Sequence, residues 1–433
     1  MALVAREVHL APDPLALARA LGDAPGAVAL VGCAGESYLG CEPERVVHAL
    51  DPEPERPIAA SGDRARAPAW VGFVPYEAVR AAELGRDPAR VDARPEPHAT
   101  RACWARYGAM AVVSSRGVEV VGDDPRAVDR LVARLARPRR EAPASLRVVE
   151  ADAPADHLER IRAALDHIAR GDVYQVNLAR RFRLRAGGSA NALLRALWRH
   201  APAPYGAAIE LDGVRIAGTS PELCLELRGD RSVRAAPIKG TRPRGDTAAA
   251  DRALAAELDA DEKERAELAM IVDVQRNDFG RVAEPGSVRL ERLPGVVTHA
   301  TVHHREALVV ARLREGVSRA ALLGAALPAG SVTGAPKLRA MELIARLEPW
   351  RRGLYTGAFG LVQHDGGMRL GMAIRTLTVR DDEGHYHSGG GIVADSDPRR
   401  EVDETVWKAR QLLALAGELA GPHQELGQLA PSR

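Results

Sequence analysis

Apolar and polar positions alternate along much of the chain, with the period of two that is typical of half-buried β-strands. The alternation is clearest over residues 173–184, 214–227 and 353–379. The last of these stretches is divided by the turn sequence HDGG, and a shorter hairpin is indicated where SRG separates two apolar runs near residue 116. The pattern therefore predicts groups of antiparallel strands.

Other stretches repeat their apolar positions with a helical period. They predict helices over residues 157–170, 251–273, 318–327, 336–347 and 398–419. Asp397 and Pro398 give the last helix a capping residue and a favourable first position. Because strands come in groups and do not alternate strictly with helices, the fold class predicted is α+β and not a doubly wound parallel sheet.

A Pro- and Arg-rich stretch at residues 136–143 is the predicted internal linker. It divides the chain into an N-terminal region, 1–143, and a second region, 150–420. Residues 421–433 are predicted to form a frayed tail. No repeat of fixed period occurs in the sequence.

Composition and charge balance narrow the classes of binding partner that the sequence predicts. Sixty basic residues nearly balance fifty-eight acidic ones in 433, so the sequence predicts neither a nucleic-acid nor an anionic-membrane partner. The first residues contain no sustained apolar run, which predicts a cytoplasmic protein without a signal peptide or membrane helix. Four scattered cysteines without C-x-x-C spacing are predicted to be free buried thiols: Cys33, Cys41, Cys103 and Cys224.

Two pairs of glutamates are candidates for chemistry. Glu264 and Glu267 stand three residues apart in one predicted helix, and Glu401 and Glu404 stand three apart in another. Each pair shares a helix face. Hard divalent cations such as Mg²⁺ prefer oxygen ligands of this kind. The alternative is that these residues belong to ordinary solvated helix faces, where such pairs also occur.

Lys239 lies at the end of an apolar strand, just before the turn RPRG. A lysine amine that is removed from water or placed near another cation can act as a nucleophile. From local sequence alone, an exposed lysine at the end of a strand is the competing interpretation.

Two glycine-rich segments can bring backbone amides close to an anion. Residues 330–337 (GSVTGAPK) enter a predicted helix but do not match a phosphate-binding loop, because Lys337 is misplaced for one. Gly389, Gly390 and Gly391 form the second segment. Each segment, taken alone, is equally consistent with a tight turn.

Six segments taken in order resemble the chorismate-utilising enzymes. They are residues 174–178 (YQVNL), 219–222 (TSPE), 237–241 (PIKGT), 271–278 (IVDVQRND), 330–337 (GSVTGAPK) and 389–398 (GGGIVADSDP). Within that family the similarity is greatest to the aminodeoxychorismate (para-aminobenzoate) synthase component I branch, which is related to anthranilate synthase component I. The resemblance implies orthogonally stacked antiparallel β-sheets flanked by helices.

The resemblance also implies roles for individual residues. Lys239 would be the covalent nucleophile, where the anthranilate branch typically carries alanine, and Glu222 would be the acid/base. Gln175 stands where water-adding members carry a lysine base, which disfavours hydration because an amide cannot take up a proton. His299 would lie near the reacting ring, and Mg²⁺ would be bound by Glu264, Glu267, Glu401 and Glu404. The substrate contacts implied are Thr241, Thr333, Tyr355, Arg375, Gly389, Gly390, Gly391 and Lys408.

The expected reaction converts chorismate and ammonia to 4-amino-4-deoxychorismate, for para-aminobenzoate and folate biosynthesis. No Gly-x-Cys-x-Gly element for glutamine hydrolysis occurs in the sequence, so ammonia is expected from a separate glutamine amidotransferase subunit. Two alternatives stay open at this stage. One is anthranilate synthase component I, and the other is a non-catalytic, ligand-sensing subunit of the same fold.

Overall fold

The computed structural model describes residues 3–22, 24–53, 58, 66–79, 94–95, 98–137, 140–299 and 302–417. The predicted tail, 421–433, lies outside these residues. The described helices are α1 (Pro14–Leu21), α2 (Pro125–Leu135), α3 (Pro154–Ala169), α4 (Ala190–His200), α5 (Ala248–Ala260), α6 (Glu262–Gly280), α7 (Arg319–Ala326), α8 (Lys337–Leu347) and α9 (Pro398–Leu415).

Two sheets contain the described strands, and every strand pair is antiparallel. The strands of the first half are β1 (Val4–Val8), β2 (Val28–Cys33), β3 (Glu36–Gly40), β4 (Arg45–Val47), β5 (Pro68–Val74), β6 (Cys103–Arg106), β7 (Ala109–Ser114), β8 (Gly117–Gly122), β9 (Ser145–Ala151), β10 (Gln175–Gly187) and β11 (Tyr205–Leu211). Those of the second half are β12 (Val214–Ser220), β13 (Leu223–Leu227), β14 (Ser232–Ala236), β15 (Ile238–Pro243), β16 (Arg289–Thr298), β17 (Val302–Arg312), β18 (Gly334–Ala335), β19 (Ala358–Gln363), β20 (Met368–Met372), β21 (Thr376–Arg380) and β22 (Glu383–Ile392).

Sheet A has the strand order β1-β8-β7-β3-β2-β11-β12-β21-β22-β10-β18, with β9 also paired to β10. Sheet B has the order β15-β17-β14-β13-β20-β19-β5-β6-β4, with β16 also paired to β17. Strands from both sides of the predicted linker pair in each sheet, at β2–β11 in sheet A and at β5–β19 in sheet B. The division of the chain near residue 143 stays a prediction.

The core is layered because each buried strand supplies two apolar faces. On β2, Val28 and Leu30 pack against residues of sheet B, whereas Ala29 and Val31 pack against the helices that cover sheet A. The inter-sheet layer includes Ile209 of sheet A in the same cluster as residues of β5, β6 and β19. Helices α6 and α7 cover the outer face of sheet B. The predicted α+β class, with antiparallel sheets flanked by helices, is confirmed.

One predicted helix was wrong in its extent. The stretch predicted as a single helix over residues 251–273 is two helices, α5 and α6, separated at Asp261. Asp261 has an extended backbone, and its side chain accepts a hydrogen bond from the Glu264 amide at 3.1 Å. The capping carboxylate thus starts a new helix in a sequence that would otherwise continue the old one.

The cysteines are free thiols, as predicted, with Cys41 only partly buried. Among the described residues, no helix combines the length and apolar character needed to cross a membrane.

Candidate active site

A cavity of about 360 Å³ lies where the β10–β22 end of sheet A meets β15 of sheet B, beneath helices α6 and α9. It brings together twelve of the residues that the sequence singled out. They are Lys239, Glu222, Thr241, Tyr355, Arg375, Gly389, Gly391, Lys408, Glu264, Glu267, Glu401 and Glu404.

Lys239 enters the cavity from β15, where the strand bends. Gly240 has φ +74° and coincides with a register shift against β17, so residues on both sides of the bulge line the cavity. The Lys239 side chain is 11% exposed, and its Nζ lies 2.9 Å from Glu267 Oε2 and 3.4 Å from Gln175 Oε1. The exposed strand-end interpretation of Lys239 was therefore wrong.

Glu222 follows the turn after β12 and is buried in the cavity wall. Burial raises the pKa of Glu222 to about 7, although a 2.7 Å hydrogen bond from Ser331 Oγ and the charge of Lys239 oppose this shift. A carboxyl group with such a pKa is partly protonated at neutral pH and can donate a proton.

The four glutamates come from the first two turns of two helices. Asp261 caps α6, and Asp397 caps α9 by accepting bonds from the Arg399 and Arg400 amides at 3.0 and 2.9 Å. The positive ends of the two helix dipoles favour the carboxylates in the first turns, Glu264 and Glu401. Because the caps fix where each helix starts, both Glu-x-x-Glu pairs face one cavity.

Burial, mutual repulsion and pairing with lysines together shift the pKa values of this cluster. Burial and the neighbouring Glu267 raise the pKa of Glu264. Burial and Glu404 likewise raise the pKa of Glu401, against a hydrogen bond from Ser396 and the charge of Lys263. At Glu404, the ion pair with Lys408 outweighs burial and lowers the pKa.

This donor set fits a hard divalent cation by its chemistry: four carboxylates, all oxygen donors, line one wall and repel one another. The carboxylates are nevertheless held apart, since no three of them offer oxygens within 4.8 Å of one another in the part of the chain that the structure describes. The group that does meet this spacing, His98, Glu383 and His385, lies outside the cavity lining. Its two imidazole rings are stacked 4.3 Å apart at 12°, so their lone pairs do not converge on one ion.

Arg375 and Tyr355 form the side of the cavity suited to an anion. Arg375 has φ +50°, and its carbonyl accepts a 3.1 Å hydrogen bond from the Thr219 amide. Its guanidinium interacts electrostatically with Tyr386 and makes no hydrogen bond or ion pair with any described side chain. Tyr355 stacks on His387, with ring centroids 5.1 Å apart. A partly buried guanidinium without a carboxylate partner is preorganised to accept an anionic ligand.

Beneath Tyr355 lies a fully buried ion pair. Arg352 donates to both oxygens of Glu348 at 2.7 and 2.9 Å, and its other donors reach the Val332 and Asn177 carbonyls at 2.9 Å. Its guanidinium stands 5.4 Å from the Tyr355 ring centroid. The pair therefore ties the cavity floor to three separate segments of the chain.

The glycine segment of β22 leaves room for the charged side chains. A Cβ on Gly391 would lie 2.9 Å from both Lys239 Nζ and Gln175 Nε2. A Cβ on Gly390 would lie 3.1 Å from Glu401 Oε2. The Gly389 carbonyl accepts a 3.0 Å hydrogen bond from Lys408.

Four predicted site residues do not line the cavity: Gln175, His299, Thr333 and Gly390. Gln175 is fully buried behind Lys239, and its Nε2 has no hydrogen-bond partner among the described residues. His299 lies at the end of β16–β17, with its Nε2 against Glu306. Thr333 donates its hydroxyl to the Ala329 carbonyl at 2.9 Å and so shapes the loop.

The glycine-rich segment 330–337 is more ordered than a flexible turn. It forms a short 3-10 turn, Gly330–Val332, followed by β18, which pairs with β10. Lys337 lies 2.7 Å from Asp278, outside the cavity lining. The segment contributes the Ser331 hydroxyl to the site, and its strand amides belong to sheet A.

Sequence reasoning missed His304, Lys263, Ser331 and Trp407, all of which line the cavity. His304 Nδ1 lies 2.9 Å from the Thr241 hydroxyl, and burial together with Arg375 lowers the pKa of His304 to about 4, so its ring is neutral at pH 7. His304 reaches the site because β15 pairs with β17. No pattern in the sequence around His304 indicates this pairing. Lys263 could have been found, because the chain contains only four lysines among its sixty basic residues.

Several proteins of similar sequence have names that state an activity. The chain is 46% identical to anthranilate synthase component 1 of Streptomyces coelicolor over 306 residues, which cover 66% of this chain and 60% of that protein. It is 44% identical to the Aquifex aeolicus protein of the same name, over 61% of this chain and 53% of that protein. It thus spans between half and three fifths of the length of these relatives.

Solved structures share the fold over most of the chain. Anthranilate synthase component I from Streptococcus pneumoniae matches with a TM-score of 0.75 and 27% identity, covering 88% of this chain and 92% of that one. The Escherichia coli menaquinone-specific isochorismate synthase MenF matches with the same TM-score at 19% identity, covering 96% and 94%, which shows a common fold alone. The sequence model described as chorismate binding enzyme matches residues 32–414, and the chain belongs to that family.

Proposed function

We propose that this chain aminates chorismate at C4, producing 4-amino-4-deoxychorismate. The observation that carries the proposal is Lys239, whose amine reaches into the cavity between Glu267 and Gln175. By resemblance, the anthranilate branch typically has alanine here. An amine at this position offers a nucleophile that an alanine side chain cannot supply.

The reaction divides into two displacements. The Lys239 amine adds at C2 of the ring, the ring double bonds shift, and the C4 hydroxyl leaves as water with a proton from Glu222. Ammonia then adds at C4, the double bonds shift back, and the Lys239 amine is expelled from C2. Glu222 can serve as the acid because its raised pKa, about 7, keeps part of it protonated at neutral pH.

Other residues would hold the substrate and disfavour the addition of water to its ring. Arg375 and Tyr355 would bind its anionic groups, since the partly buried guanidinium lacks a carboxylate partner among the described residues. Glu264, Glu267, Glu401 and Glu404 would hold Mg²⁺, whose positive charge would bind and neutralise a substrate carboxylate. Gln175 offers no base to activate water.

Anthranilate synthase component I is the second candidate, and the names of the relatives favour it. It would use the same cavity but aminate C2. The deciding experiment incubates the purified chain with chorismate, an ammonium salt and Mg²⁺, and identifies the product by mass and ultraviolet spectra. We expect 4-amino-4-deoxychorismate; anthranilate with pyruvate as the main products would overturn the proposal, and no turnover would favour a non-catalytic subunit.

A separate glutamine amidotransferase is the proposed source of ammonia. A glutaminase needs a reactive cysteine thiolate. Cys33, Cys103 and Cys224 are poorly suited to this role, because burial raises the pKa of each thiol well above the ordinary range. We expect the chain alone to use ammonium but not glutamine. Glutamine-dependent turnover by the isolated chain would refute this part.

A further inference from the structure

Lysine is rare in this protein and concentrated at one place. The chain contains four lysines among sixty basic residues, and three of the four, Lys239, Lys263 and Lys408, line the cavity. An ammonium is a compact point charge, whereas a guanidinium is a broad planar fork. A chain that uses arginine almost everywhere thus places lysine where a small cation has to fit between carboxylates.

Each of the three lysines is paired with a glutamate of the cluster. Lys239 Nζ lies 2.9 Å from Glu267 Oε2, and Lys408 Nζ lies 2.5 Å from Glu404 Oε1. Lys263 Nζ lies between the two helices, 3.4 Å from Glu401 Oε1 and 3.9 Å from Glu267 Oε1. In this arrangement, the ammonium groups take the place of a divalent cation among the carboxylates.

Glu264 differs from the other three glutamates. No ion pair joins it to a basic side chain in the described part of the chain, and the positive charge that opposes the rise in its pKa is that of Lys239. An arriving cation would therefore meet one unpaired carboxylate and three that are already paired. A cation bound by Glu267 Oε2 or Glu401 Oε1 would compete with the lysine paired there.

We propose that Lys239 and Lys263 are built-in competitors of the divalent cation, and that cation binding exchanges Lys239 from Glu267 to Gln175. Gln175 Oε1 is already 3.4 Å from Lys239 Nζ, and Gly391 leaves the space on that side open. The exchange would free the Glu267 carboxylate for the cation and break the ion pair that holds the Lys239 amine. This inference rests on the proposed covalent role of Lys239 and adds a regulatory role for its ion pair.

The test is direct Mg²⁺ binding to the ligand-free protein, measured by isothermal titration calorimetry. Removing a cation that competes within a few ångströms should tighten Mg²⁺ binding by about tenfold in Lys239→Met and in Lys263→Met. Lys263→Arg keeps the charge and should bind nearly as wild type does. Glu401→Gln should lose most of the binding, which identifies the calorimetric signal with this cluster.

Arg6→Met is the matched control for net charge. Arg6 lies on β1, at the opposite edge of sheet A, and pairs with Asp129 of α2; its side chain is 55% exposed. It should leave Mg²⁺ affinity unchanged. Unchanged or weaker binding in both lysine-to-methionine variants, with thermal unfolding showing an intact fold, would overturn the inference. Because no chorismate is present, this result is independent of which product the enzyme makes.

Discussion

Ser331 Oγ donates a 2.7 Å hydrogen bond to Glu222 Oε1 inside the cavity wall. The bond favours the ionised carboxylate and so opposes the burial that raises the pKa of Glu222 to about 7. If protonated Glu222 is the acid, activity falls as pH rises through about 7. Ser331→Ala removes the bond, raises the pKa further, and should move this alkaline limb of kcat/KM to higher pH.

Ser331→Thr is the control, because it keeps a hydroxyl and should keep the limb near its wild-type position. Profiles are measured with saturating ammonia at each pH, so that the protonation of free ammonium does not imitate the enzyme group. A limb that stays in place in Ser331→Ala would argue against Glu222 as the acid.

Lys239→Arg separates the charge of Lys239 from its nucleophilicity. Arginine can still pair with Glu267, yet a guanidinium is a poor nucleophile because it stays protonated. We expect Lys239→Arg and Lys239→Ala both to lose C4 amination. In the wild-type protein, peptide mass spectrometry after rapid quenching should find a chorismate-derived adduct on the peptide containing Lys239. C4 amination at the wild-type rate in the alanine variant would exclude the covalent route.

Gly391→Ala should disable the site without unfolding the protein. The added methyl group would lie 2.9 Å from Lys239 Nζ and Gln175 Nε2, the movable ends of two side chains, so they would shift while the backbone stays. Displacing a reacting amine by about 1 Å can cost roughly a hundredfold in rate. We expect a loss of that order in kcat, with circular dichroism unchanged.

Gly280→Ala provides the comparison for Gly391→Ala. No heavy atom lies within 4 Å of a Cβ at Gly280, which ends α6. Its kinetics should match those of the wild type. Equal activity in the two alanine variants would show that Lys239 need not occupy its observed position.

Glu348→Ala should be among the more destabilising single changes. Both side chains of the Glu348–Arg352 pair are fully buried, so removal of the carboxylate leaves an unpaired guanidinium in the core. Losses of about 3–5 kcal/mol are typical when one partner of a buried pair is removed. Urea unfolding measures the change.

The exposed pair Arg162–Glu159 is the matched comparison, with side chains 56% and 68% exposed. Glu159→Ala should change stability little, because solvent screens such a pair. Comparable effects of the two substitutions would mean that the buried pair is not a main support of the cavity floor.

Local chemistry explains which features could be predicted from the sequence. Asp397 and Pro398 predicted the start of α9 correctly because capping depends on neighbouring residues only. The break at Asp261 was missed because helix-forming residues continue on both sides, so periodicity gave no sign of it. His304 was missed for a different reason: it reaches Thr241 through pairing of strands some sixty residues apart, and no local pattern records that register.

Both sheets contain strands from each side of residue 143, and this limits which fragments of the protein can be studied separately. A fragment that begins at residue 150 would keep every cavity residue named above, yet it would leave the β11 edge of sheet A and the β19 edge of sheet B without their neighbours β2 and β5. Long, unprotected edges of this kind invite pairing between molecules. Expression of residues 150–433 alone should therefore yield aggregates, and the site should be assayed in the chain of 433 residues.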